Sequence, residues 1–383
     1  MDKLAIIGTG YMARIIANRA KELNIETHCF SIDEHSVAGE VCDFFHNVNI
    51  LDIDALTEVC RKIDVNGVVA TTELTIYPAS VVAKRLGLNG NDETVSKEVT
   101  DKTIIRWKVK NIEELFQPRF WICGGIQDIP KINNYPVIVK PIAAGGKRGI
   151  SVVKTSDNIK TAITEALSVS KVKGVLIEEF LSDGQEYSVE SLSYHGSHYI
   201  IQVTQKDSSG PPHCVELGHH QPAELLHEMR KKVEKVVSRI LTTVGITDGP
   251  CHTEIKIIDG EIYLIELNGR PGGDHIAYPL TELSTGYPYI TGIIQVALNK
   301  LDETQLKNFE KNYSGVHFVT TQTAYMKPIF DNCETEQWLY YKNKVSDKLS
   351  PITHNDGFNT NYFIYYSREK KPNFEDMKGK NYE

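Results

Sequence analysis

The tightest constraint on this chain is a pair of acidic, alternating segments near residue 260. His252-Thr253-Glu254-Ile255-Lys256 is followed, across Ile258-Asp259-Gly260, by Ile265-Glu266-Leu267-Asn268-Gly269-Arg270-Pro271-Gly272-Gly273-Asp274-His275. Side chains two apart on a strand point the same way, so Glu266 and Asn268 share a face. Arg270 places a cation just past the strand end. Hard oxygen ligands beside a cation suit Mg²⁺ holding a triphosphate better than a structural ion pair. Whether Glu254 joins them depends on the turn. A two-residue Asp259-Gly260 turn would set Glu254 and Glu266 on opposite faces, and a three-residue Ile258-Asp259-Gly260 loop on the same face. The three-residue loop, with Gly260 left-handed, is therefore expected.

A chain of 383 residues is too long for one ordinary core, so two or three packed units are expected. The net charge of -8 and the lack of a basic run argue against tracking a nucleic-acid backbone. The seven cysteines are scattered without a CxxC pair, which fits reduced thiols rather than a disulfide framework or a zinc site. No apolar run approaches the roughly 20 residues of a membrane span, and the start lacks the pattern of a signal peptide. The expected setting is the cytoplasm, with neither membrane nor nucleic acid as partner.

Residues 3–90 alternate strand and helix: strand Lys3–Ile7, helix Tyr11–Leu23, strand Glu26–Ser31, helix Leu56–Ile63, strand Gly67–Thr72 and helix Ile76–Leu86. This is βαβ logic, with a parallel sheet and ligand groups at the carboxyl ends of its strands. Gly8-Thr9-Gly10-Tyr11-Met12-Ala13, with Asp33 beyond, matches a dinucleotide fingerprint. The same glycines also serve a plain strand-to-helix turn, the reading favoured once the later motifs are weighed. Glu73 follows its strand directly, where it could meet a substrate ammonium or simply open a helix.

Further on, Tyr135–Pro141 is a β-branched strand carrying Lys140, which is costly to bury without an anionic partner. Gly145-Gly146-Lys147-Arg148-Gly149 lets backbone N–H groups approach phosphate, or forms a hairpin tip. Val175–Leu181 is an apolar strand containing Glu178 and Glu179, and Glu186 opens the next, alternating strand. Glu216–Pro222 reads as a polar loop and Ala223–Val244 as an amphipathic helix ending at Gly245. Pro288–Leu298 is a further helix. Residues 301–383 hold two aromatic strands, Gly315–Tyr325 and Phe358–Tyr366, without evident chemistry. The polar tail after Glu369 is expected to be mobile.

The succession of Lys140, the 145–149 loop, Glu178–Leu181, Glu186 and the Glu254…Glu266-Leu267-Asn268-Gly269-Arg270 cluster resembles the ATP-grasp fold over roughly residues 95–300. The resemblance implies an α/β chain in three parts. Residues 1–94 would be a Rossmann-like domain, 95–300 the ATP-grasp domain with a lid lobe at about 108–175, and 301–383 a small β-rich covering subdomain. It also implies ATP and two Mg²⁺ ions, Mn²⁺ being the substitute. Lys102 and Lys140 would contact the α/β-phosphates, with Lys97 competing for the role of Lys102. Gly145, Gly146, Lys147, Arg148 and Gly149 would close over the β/γ-phosphates. Glu178 and the backbone of Glu179 and Leu181 would take adenine, and Glu186 the ribose. Glu254, Glu266 and Asn268 would hold the metals.

Glu216-Leu217-Gly218-His219, Gly249-Pro250-Cys251-His252-Thr253-Glu254 and Asn268–Ile276 are similar to the L-amino-acid ligase group of that superfamily. This narrower resemblance implies a carboxylate–amine ligase acting on small amino-acid or carboxylate substrates, with a homodimer common among its kin. Glu73 and His219 would face the substrates, Gly273 and Asp274 would size the pocket, and Arg270 would meet the developing oxyanion. Glu216 would serve either the substrate or the loop. The competing expectations are a carboxylase or purine-pathway ligase of the same superfamily, and an NAD-dependent oxidoreductase built on Gly8–Gly10. No Gly-x-Ser-x-Gly elbow or HExxH pair supports a serine hydrolase or zinc protease.

Overall fold

The computed structural model describes residues 1–374 except 34, 171–172 and 355–356. The predicted mobile tail after Glu369 therefore lies largely outside the described residues.

Near the N-terminus, four parallel strands run in the order Phe44–Asn47, Glu26–Ser31, Lys3–Ile7, Gly67–Ala70. Helices Tyr11–Glu22, Ile53–Ile63 and Ile76–Leu86 accompany them. The expected βαβ pattern is present, with Phe44–Asn47 as a four-residue edge strand too short to stand out in the sequence. Gly8 takes φ 103°, and a side chain there would lie 2.6 Å from Thr71 Oγ1. Tyr11 at the helix start stacks on Phe358 with centroids 4.4 Å apart, so the turn is met by the chain's own C-terminal segment.

A second sheet of four antiparallel strands orders Phe120–Cys123, Val175–Glu179, Val137–Pro141 and Ser151–Val153, with helix Ile159–Val169 against it. The largest sheet has nine strands. Its order is Leu339–Asn343, Asn361–Ser367, Tyr313–Val319, Glu216–Gln221, Ser197–Ser208, Gln185–Tyr194, Gly249–Ile258, Glu261–Asn268, Leu115–Phe116. Helix His227–Val244 buries Val233, Val236, Val237 and Ile240 against one face of it.

Four expectations are corrected here. Glu216–Gln221 is a central strand rather than a loop, paired with Ser197–Ser208 on one side and Tyr313–Val319 on the other. It is polar because both its faces carry buried polar groups rather than apolar core. Helix formation is delayed to His227, and the strand beginning near 315 stops at Val319, where Thr320 and Thr323 close a hydrogen-bonded turn.

The fourth correction concerns the acidic hairpin. Ile258 pairs with Glu261, so the loop is the two-residue Asp259-Gly260 turn, with φ of 49° and 81°. These two positive φ values fit a tight hairpin turn. The register then shifts: Glu254 pairs with Glu266 but Ile255 with Leu264, leaving Ile265 as the extra residue. A β-bulge, not a longer loop, restores the parity. A second bulge does the same for Glu216. Asp207 pairs with Gly218 but Ser208 with Glu216, so Leu217 is the extra residue and Glu216 turns to the face of His219 and Lys206.

Candidate active site

The two bulges gather acids onto one face of the nine-stranded sheet. Glu254 and Glu266 sit directly opposite one another, and His252 and Asn268 form the next same-face pair. Burial of so many carboxylates requires cations. Lys102, delivered by helix Lys102–Lys108 whose first turn is capped by the Asp101 carboxylate, lies 2.8 Å from Glu266. Lys206 lies 2.7 Å from Glu254 and 2.6 Å from Glu216. Burial opposes the charge on Lys206, but Glu216 and Glu254 raise its pKa, and those two carboxylates are lowered in return. His252 is protected in the same way: burial would lower its pKa, yet contact with Glu190 and Glu254 lifts it to about 9.

Lys102 and Lys97 are separated by the geometry. Lys102 also donates to the Ala144 carbonyl at 3.2 Å, whereas Lys97 is exposed, its Nζ 6.0 Å above the Tyr77 ring. Lys140 is 2.5 Å from Glu178, whose other oxygen accepts from Arg106 at 2.6 Å. Burial would raise the Glu178 carboxyl, but Arg106 and Lys140 bring it down to about 2. Both oxygens of Glu178 are thus engaged within the protein. Glu179 pairs with exposed Arg119, and the Leu181 carbonyl accepts from Lys256 at 2.6 Å. Glu186 lies between Lys147 and Lys256, at 3.9 and 4.0 Å.

These groups line one cavity, with Phe180, Ile138, Ile150 and Pro118 as its apolar walls. A second cavity shares Lys147, Glu254 and Glu266 with it and continues past Gly145, Gly146, Asn268 and Arg270 to Glu216, Gly273 and Asp274. The glycine loop crosses it with left-handed Gly146, Lys147 and Gly149, and the Arg148 guanidinium folds back on the Gly145 carbonyl. A side chain at Gly145 would come within 2.9 Å of Glu73 Oε2, so glycine lets the loop sit against that carboxylate. That oxygen is buried without a hydrogen-bond partner among the described residues. Burial raises the Glu73 pKa, with Lys102 opposing.

His219, fully buried, places Nε2 3.0 Å from Glu216. Asp274 completes that group, its Oδ1 accepting from the Gly357 N–H at 3.1 Å. Burial and the neighbouring Glu216 raise the Asp274 pKa. Most of the expected residues line these two adjoining cavities; Glu73 lies beside Gly145 and His219 beside Glu216, while Gly149 and the exposed Arg148 line neither. Sequence reasoning missed Arg106, Lys206 and Glu190. The argument used for Lys140, a lysine inside an apolar strand, applies equally to Lys206 after Val203-Thr204-Gln205 and would have found it.

Comparisons with known proteins identify the domains that carry this cleft. Residues 133–278 match the ATP-grasp domain and residues 1–84 the ribonucleotide synthetase preATP-grasp domain. The chain thus carries a preATP-grasp domain followed by an ATP-grasp domain, and by that architecture it is an ATP-grasp ligase. It is 23% identical over 363 residues to the formate-dependent phosphoribosylglycinamide formyltransferase of Prochlorococcus marinus, covering 92% of this chain and 89% of that one. Its fold is similar to the crystal structure of an L-amino acid ligase from Bacillus licheniformis, with TM-score 0.80, 20% identity, and 98% and 95% of the two chains covered. It is also similar to N5-carboxyaminoimidazole synthetase from Staphylococcus aureus complexed with ADP, with TM-score 0.75, 14% identity, and 98% and 96% covered. No helix among the described residues is long and apolar enough to cross a membrane.

Proposed function

We propose that the protein joins the carboxylate of a free amino acid to an amine, with ATP as the activating group and ADP and phosphate as products. The observation that carries this reading is Glu73. Its buried oxygen lacks a partner among the described residues, and its carboxylate sits beside the glycine loop and within electrostatic reach of Arg270. An ammonium on Glu73 and a carboxylate toward Arg270 are the two ends of an amino acid. Formate or bicarbonate would leave Glu73 buried and unmatched, a costly arrangement.

Glu254, Glu266 and Asn268 offer hard oxygens on one face, a donor set that fits one or two Mg²⁺ ions. When bound, Mg²⁺ would supply charge neutralisation for the triphosphate. Lys102 and Lys206 also balance the Glu266 and Glu254 carboxylates.

The protein groups then act as follows. Lys140, Lys147 and Lys102 converge on the phosphate region, and the 145–149 loop covers it. The apolar walls around Phe180 and Ile138 accommodate the base, with backbone at Glu179 and Leu181 and the carboxylate of Glu186 at the sugar. The amino-acid carboxylate attacks the γ-phosphorus, breaking the bond to the β-phosphate oxygen and forming an acyl phosphate. The amine then adds to the acyl carbon, Arg270 faces the resulting oxyanion, and phosphate departs. Catalysis is positioning and electrostatics, without a protein nucleophile.

The test is phosphate release across a matrix of paired amino acids, alongside formate and bicarbonate, with mass spectrometry of the products. Amino-acid-dependent release with an amide product is expected. Release that needs formate or bicarbonate and ignores amino acids would place the protein in another branch of the superfamily.

A further inference from the structure

On the face of the large sheet turned away from the cleft, Asp207, His220 and His317 meet. Lys206 and His219 point into the cleft, so their strand neighbours Asp207 and His220 point the other way. Asp207, Gly218 and His317 lie in register across three adjacent strands, and His220 is two residues beyond Gly218 on the same face. The central position of that row has no side chain. A Cβ at Gly218 would stand 3.4 Å from Asp207 Oδ2 and 3.5 Å from His317 Nδ1, so glycine leaves a depression walled by a carboxylate and two imidazoles. One ligand atom from each of the three residues lies within 4.8 Å of the other two.

We propose that this depression is a binding site for a divalent transition-metal ion of the zinc type, distinct from the nucleotide cleft. Two imidazoles and one carboxylate are a donor set such ions accept, with a position left open. Bonds of about 2.0–2.1 Å would need only small side-chain rotations, because Asp207 Oδ2 and His220 Nε2 are already 2.8 Å apart. The outer shell is in place as well. Tyr365 Oη lies 3.1 Å from His220 Nδ1, so the hydroxyl can accept the proton on that nitrogen and leave Nε2 free to ligate. The Phe374 ring packs edge-on against His317, 4.8 Å between centroids, roofing the site with the last described residue. An ion there would clip Tyr313–Val319 to the strands that bear Glu216 and Lys206.

The test uses the full chain, stripped with chelator and titrated with Co²⁺ as a spectroscopic substitute for Zn²⁺. Visible ligand-field bands should saturate at about one equivalent per chain, and Zn²⁺ should bleach them. The bands should vanish in His317→Ala and in Asp207→Asn, and persist in Glu254→Gln, which alters only the cleft. Asp207 is the safeguard against misfolding, since 42% of its side chain is exposed. Absence of bands in the unaltered protein, or bands that survive both triad substitutions, would overturn the site. Bands lost only in Glu254→Gln would assign the ion to the cleft and overturn it equally.

Discussion

At the scale of single residues, the cleft is built from opposed charges that would each be prohibitive alone. Glu178 is the clearest case, 1% exposed and gripped by Arg106 and Lys140. Glu178→Gln leaves two buried cations uncompensated, so unfolding in urea should show a loss of about 3–5 kcal/mol. The pH dependence follows from its sign. A carboxyl held at about 2 against an ordinary 4.5 contributes stability that is complete above pH 4.5 and lost as pH falls toward 2. Acid titration of the melting temperature should therefore be flatter in Glu178→Gln than in the parent across that window. The roles proposed for Glu266 and Arg270 bear on turnover instead. Glu266→Gln should abolish ADP formation. Arg270→Ala should cost roughly 10²–10³ in kcat, in line with loss of one oxyanion donor. Circular dichroism of both variants should match the parent, and near-normal turnover in either would contradict its assigned role.

At the scale of elements, the unit that makes the site is the bulged strand. Ile265 and Leu217 each insert one residue into a ladder and thereby turn Glu266 with Asn268, and Glu216, onto the cleft face. Deleting Ile265, the extra residue, should close the bulge into a regular ladder with Glu254 still opposite Glu266, so that Glu266 and Asn268 stay on the cleft face. Nucleotide turnover should therefore remain detectable in that deletion, and its complete loss with an intact helix signal at 222 nm would contradict the assigned register. The same feature marks the limit of what the sequence showed. Acidic alternation placed Glu254, Glu266 and Asn268 together, and the need for one shared face was clear. The means was not: Asp259-Gly260 dictates its own tight turn locally, whereas a bulge is decided by the pairing of two strands. Glu216–Gln221 was misread for a related reason. Its alternation is broken by the bulge at Leu217, and its neighbours in the sheet come from residues 197–208 and 313–319, far apart in the chain. Elements whose apolar run or helical spacing is unbroken, such as Lys3–Ile7 and Ile76–Leu86, were legible to the residue.

At the scale of the molecule, the strands of residues 313–367 continue the sheet that carries the site rather than forming a sheet of their own. Tyr313–Val319 covers the edge of Glu216–Gln221. A chain ending at residue 312 would expose that strand's unpaired backbone, and bare edges template aggregation. Such a truncation should collect in the insoluble fraction on expression, whereas one ending at 374 should remain soluble. The N-terminal sheet is tied in at the same rim, through Tyr11 on Phe358 and Arg19 on Glu282 at 2.8 Å.

That rim separates two inheritances. The residues proposed to handle the nucleotide lie at 102–186 and 254–270, on the lid sheet and the bulged hairpin. The far wall is finished by Asp274, held by the backbone of Gly357 in a connection between strands. Insertions, deletions and substitutions near Gly357 can therefore accumulate without touching the phosphate machinery. A descendant of this protein could exchange its acceptor while keeping the same energy-coupling engine, and the 350s are where such divergence would first be written.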